Sequence, residues 1–270
     1  MSALPRGWLR PSRPGTPAAV EDPRERRAIK LELIIVFTVT LGYSAAFSLL
    51  SFVESLLREA RLADQQVALH RPQASIEAID LLKQLLGALK LIGFAALGVY
   101  LLWRAGIALG KVGLSRRVRG KDIGAGALLA AVIGIPGLVL YLISWQLGFS
   151  LAVVPSLLEE SWWRPITLTL SAIGNAVAEE VLIVGYLLTR LRQLGIGENA
   201  SLLVSSVLRG SYHLYQGAAG FFGNLVMGLI FGRVWQRTHR LWPLIIAHAL
   251  LDVVAFVGYS LVSPLVSWLP

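Results

Sequence analysis

The chain reads as a succession of long apolar runs separated by short polar or basic turns. The runs lie near 31–53, 85–103, 125–147, 165–188, 200–216, 219–235 and 242–262. Each approaches the roughly 20 helical residues needed to cross about 30 Å of hydrocarbon. Spanning segments of this kind satisfy their own backbone as helices. The pattern therefore predicts an all-α fold, a polytopic transmembrane helical bundle of about seven spans. The count becomes eight if the connection over 54–84 hides a short or re-entrant helix. Residues 1–30 are rich in Pro and Arg and lack the apolar centre of a signal peptide, so they are expected to form a disordered basic tail. Transmembrane helices follow over 31–164, a second transmembrane region over 165–262, and a C-terminal tail over 263–270.

Composition agrees with a bilayer as solvent. Of 270 residues, 55% are hydrophobic and only 15% charged, with a mean hydropathy of +0.65. The net charge of +9 is concentrated in the tail, in the stretch 104–121, and in the turns around Arg190 and Arg233. Seven spans put these basic stretches on one side, as the positive-inside rule requires. The exception is 54–84, where acids offset the basic residues. The N-terminus is accordingly expected in the cytoplasm of a multi-pass cell-membrane protein. The partner implied by the charge is the lipid bilayer, not nucleic acid. The absence of cysteine excludes a thiol nucleophile, disulfides and thiolate metal sites.

Ionisable groups inside spans are costly and point to function. The first span has Glu32 near its start, the second has Lys90 and the third has none. The last four hold Asn175, Glu179, Glu180, Arg209, His213, Asn224, His248 and Asp252. This asymmetry predicts a lipid-facing front half and a site-bearing back half. Asn175 and Glu179, Arg209 and His213, and His248 and Asp252 are each four apart, hence on one helix face. Glu179 and Glu180 are about 100° apart around a helix and should have different roles. Asn224 reads as interhelical glue, and GLIFG, from Gly228 to Gly232, as close packing within one molecule.

At these residues the sequence resembles the CAAX-protease and bacteriocin-processing family of intramembrane endopeptidases. The family's motifs EExxxR, FxxxH and HxxxN/D correspond here to EEVLIVG (Glu179, Glu180), RGSYH (Arg209 to His213) and HALLD (His248 to Asp252). The resemblance covers the C-terminal third and implies an endopeptidase acting on a membrane-associated peptide or protein. It implies that Glu179 activates a water, that His213 assists it, and that His248 and Asp252 stabilise the oxyanion. Asp252 accepts hydrogen bonds when ionised, so it could instead orient His248. A zinc site formed by Glu179, His213 and His248 is the competing chemistry. The favoured reading has no metal or other cofactor.

Two positions depart from the family pattern. Val184 stands where EExxxR has its arginine, and Arg209 where FxxxH has its phenylalanine. These are read as one event, in which Glu180 takes a guanidinium from the neighbouring helix. The rival functional classes are a catalytically inactive scaffold or immunity protein, and a proton-coupled transporter.

Overall fold

The computed structural model describes residues 17–114, 117–158 and 160–259. The C-terminal tail over 263–270 lies outside them. The described chain is mostly helical. Helix α1 (Pro23–Val39) leads into α2 (Leu41–Leu57). Strand β1 (Gln66–His70) precedes α3 (Glu77–Arg104). After α4 (Gly120–Gln146) and strand β2 (Ala152–Ser156) comes α5 (Arg164–Glu179). This helix widens into a π segment, Glu180–Leu187, and continues as α6 (Leu188–Gln193). Helices α7 (Glu198–Ser211), α8 (Ala218–Thr238) and α9 (Trp242–Val253) follow, the last continuing into a π turn, Val254–Gly258.

Four of the described helices are long and apolar enough to cross a membrane: α3, α4, the continuous α5–α6 and α8. The pair α1–α2 makes a fifth if its 50° bend lies within one span. Helices α7 and α9 fall on runs read as spans but have only 14 and 12 residues. The apolar run over 200–216 does not stay helical, because the backbone turns at Tyr212 and passes through Gly217 at φ 99°. A side chain at Gly217 would also lie 2.6 Å from Ser150 Cα.

The stretch expected to be a disordered tail through residue 30 is helical from Pro23. Asp22 caps that helix by accepting from the Arg24 N–H (2.9 Å), and proline suits its first turn. Glu32 has a partner too: it pairs with Arg190 (2.5 Å) and accepts from Tyr186 Oη (2.7 Å), fastening α1 to the α5–α6 helix. The connection over 54–84 holds no spanning helix. It contains β1, which pairs in parallel with β2 in the register Gln66↔Ala152 to His70↔Ser156. At the strand end, His70 Nδ1 donates to Pro155 O (3.1 Å), and burial pushes the imidazole below its ordinary pKa.

Packing makes α5–α6 the centre. Its apolar window is 61% buried, against 22% for α3 and 6% for α4. Small residues on α5 permit this. Gly174 backs onto α3 so closely that an added Cβ would lie 3.3 Å from Leu91 Cβ. The expected close packing of GLIFG is present: Gly228 faces Ser206 of α7 and Gly232 faces Leu202. A Cβ on Gly228 would sit 3.0 Å from Ser206 Cα, where backbone cannot yield easily. Gly228→Val is therefore expected to lower stability by about 1–3 kcal/mol, the usual effect of overpacking, measured as a fall in the detergent-solubilised melting midpoint. An unchanged midpoint would show that α7 and α8 are not locked at this contact.

Candidate active site

The site is assembled where α5 passes into its π segment, against α7, the α7–α8 turn and α9. Pi segments are rare and occur often at functional sites. Glu179 ends the α-helical part and Glu180 begins the wider one, and their side chains enter different surroundings.

Glu180 is fully buried. Its Oε1 accepts from Arg209 Nη2 (2.6 Å) and from His248 Nδ1 (2.8 Å). The partner lost at Val184 is thus supplied by α7, as the two departures predicted. Val184 itself is buried in the apolar core. The Arg209 guanidinium is 0% exposed and lies over the Phe231 ring, 5.8 Å from its centroid. Arg209 Nη1 approaches Glu179 Oε2 to 3.9 Å. A buried charge of this kind is tolerable only when paired, and a carboxylate is its natural partner.

Glu179 faces an open cavity of about 1970 Å³, which is also lined by Asn175, Tyr212, His213, His248 and Asp252. Glu180 and Arg209 do not line it. The two glutamates therefore enter different surroundings, as their angular separation implied. Tyr212 Oη donates to Glu179 Oε2 (2.5 Å). The other oxygen, Oε1, lies 3.9 Å from His213 Nε2, beyond hydrogen-bond reach. His213 Nε2 has no hydrogen-bond partner among the described residues. Its Nδ1 accepts from Gln216 Nε2 (3.4 Å), which leaves Nε2 as the protonated ring nitrogen.

On α9, His248 and Asp252 face the same space. His248 Nε2 is 3.6 Å from Asp252 Oδ2, and that oxygen accepts from Asn175 Nδ2 (3.0 Å). Asn175 therefore ties α5 to α9. All seven residues selected from the sequence meet in one cluster: Asn175, Glu179, Glu180, Arg209, His213, His248 and Asp252. Tyr212 was not among them. Its position between Arg209 and His213 is the only sequence signal, and an aromatic at a helix end ordinarily reads as packing. Asn224 donates to the Gly220 carbonyl of its own helix (3.0 Å) and not across to a neighbour.

Residues 160–254 match the family described as type II CAAX prenyl endopeptidase Rce1-like. That stretch contains every residue of the cluster and supports the CAAX-protease family read from the three motifs. No curated protein and no solved structure matches the chain.

Proposed function

We propose that the protein is an intramembrane endopeptidase that cleaves a membrane-associated peptide or protein with water activated by Glu179. The observation carrying this reading is the 3.9 Å gap between Glu179 Oε1 and His213 Nε2 on the cavity wall. The gap is too wide for a direct hydrogen bond and leaves the buried His213 Nε2 without a partner among the described residues, a need that a water admitted between the two groups would meet. In this arrangement the His213 Nε2–H donates to the water oxygen, and Glu179 Oε1 takes a proton from it as the oxygen attacks the peptide carbonyl. Glu179 then returns the proton to the leaving amine nitrogen, so the C–N bond breaks and both products leave neutralised at the cut. A positioned acid–base group of this type contributes about 10²–10⁴ in rate.

The developing oxyanion needs donors. An ionised Asp252 offers none, but it holds two groups that do. Asn175 has a second Nδ2–H beyond the one given to Asp252. His248, as an imidazolium between Glu180 and Asp252, donates from Nδ1 to Glu180 and presents a second N–H, at Nε2, to the cavity. Asp252 is thus the orienting member, with His248 and Asn175 as oxyanion donors. Tyr212 and Arg209 fix the Glu179 carboxylate from the side away from the gap.

The donor set favours the metal-free reaction over zinc. Glu179 Oε2 is occupied by Tyr212 and stands 3.9 Å from a guanidinium, which would repel a dication. Among the described residues no three His, Asp or Glu side chains converge as a metal-binding group. Proteolysis is expected to survive exhaustive chelation; loss that zinc alone restores would overturn the glutamate assignment. Tyr212→Phe should lower kcat by about tenfold or more with little change in melting midpoint, because it removes one hydrogen bond from the base. Wild-type kcat in that variant would remove Tyr212 from the mechanism.

The protein would sit in the cell membrane as a multi-pass protein with its N-terminus in the cytoplasm, the orientation that its basic stretches favour. The matched family description names prenylated CAAX substrates. For this chain, a prenylated CAAX peptide is a substrate to test alongside unmodified membrane peptides.

A further inference from the structure

The cavity-facing residues of α3 are Gln84, Gly87, Lys90, Leu91 and Phe94, which form one stripe along the helix. Lys90 lies near the middle of the 28-residue helix, about 20 Å from either end at 1.5 Å per residue. Its depth relative to the site is set by packing. Ala88 and Leu91, on either side of Lys90 in sequence, are the α3 residues that meet Gly174. Lys90 is therefore level with Gly174 and Asn175, on the wall of the cavity that also receives Glu179.

Lys90 is exposed on the open side of the cavity wall, and a lysine midway along a helix long enough to span a membrane calls for an anion. Among the described residues Lys90 makes no hydrogen bond and no ion pair. The acids lining the same cavity are engaged elsewhere. Glu54 pairs with Arg58 (2.6 Å), Glu179 accepts from Tyr212 (2.5 Å) and Asp252 accepts from Asn175 (3.0 Å). Lys90 thus places a cation in the reaction cavity, and no described residue supplies it with a salt-bridging counter-charge.

We propose that Lys90 is the anion subsite of the cavity and that its ammonium holds a carboxylate of the peptide substrate. The carboxylate is either the substrate's C-terminus or an Asp or Glu side chain. This deepens the endopeptidase reading and rests on it. From the level of Asn175 to Glu179 is four residues, about 6 Å along α5. Extended peptide covers that distance in about two residues at 3.3 Å each. The recognised carboxylate should accordingly lie about two or three residues from the scissile bond.

Full-length Glu179→Gln protein in zwitterionic micelles provides the test, because binding is then read without cleavage. Three fluorescent acylated hexapeptides serve as probes: one with a free C-terminal carboxylate, one with a C-terminal carboxamide, and a carboxamide peptide with glutamate near its end. One of the two acidic peptides is expected to bind about tenfold or more tightly than the neutral one. The better of the two identifies the source of the carboxylate. Lys90→Met in the same background should remove that preference, and Lys90→Arg should keep most of it. Absence of any preference would overturn the proposal, as would a preference that survives Lys90→Met. It would equally be overturned if Lys90→Met reduced only the retention of phosphatidylglycerol, which would make the site a lipid site. Failure of the endopeptidase reading shows separately, as absent cleavage by the wild type.

Discussion

Replacing Arg209 with leucine is expected to be among the most damaging single changes to this protein. The guanidinium is 0% exposed, and its Nη2 donates to Glu180 Oε1 at 2.6 Å. Removing it leaves the Glu180 carboxylate, also 0% exposed, with only His248 as a polar partner. Breaking a buried pair by deleting one member typically costs about 3–5 kcal/mol. The expected result is a protein that fails to accumulate in membranes or melts far below wild type, with no activity. Adding Val184→Arg should restore part of both, because Val184 lies on the same π segment as Glu180, where the family pattern has its arginine. Wild-type melting and activity in Arg209→Leu alone would show that the pair is dispensable.

The second large effect separates the two glutamates. Glu179→Gln should leave the fold close to wild type, since the amide still accepts from Tyr212 and the cavity side stays open. Its rate of peptide hydrolysis should fall by about 10²–10⁴ through loss of the base. Glu180→Gln should do the reverse in order of cause. It leaves the buried Arg209 charge without its hydrogen-bonded carboxylate, with only Glu179 at 3.9 Å, so stability falls first and activity follows. Thermal melts and cleavage rates measured on both variants make the distinction. Equal melting losses would contradict the assignment of Glu179 to the cavity and Glu180 to the interior.

The pairing of Glu180 with Arg209 was legible in the sequence because the resemblance to the family motifs marked both departures. Helical spacing set the two glutamates on different faces, and a missing arginine beside a surplus one identified the exchange. The close packing at Gly228 and Gly232 was legible locally, since the spacing of small residues is a property of one helix. Other features depend on contacts that no local pattern encodes. The parallel pairing of Gln66 with Ala152 joins segments far apart in sequence, and neither strand has a clear alternation of its own. The bend between Val39 and Leu41 interrupts an apolar run that gives no sign of it. Tyr212 was missed because its hydroxyl finds Glu179 only after α7 packs against α5. The apolar run over 200–216 suggested a span, but hydropathy does not register the left-handed turn at Gly217 that ends it. The widening of the helix at Glu180–Leu187 is likewise invisible to a hydrophobic pattern.

The central claim is that Glu179 makes this a protease, and it is tested most directly in membranes. The N-terminal peptides of membrane proteins would be compared between cells expressing the wild type and cells expressing Glu179→Ala at matched abundance. The account predicts new N-termini that appear only with the wild type, and these identify the substrates. Identical sets of N-termini, with both proteins folded and the membrane proteome sampled in depth, would contradict it.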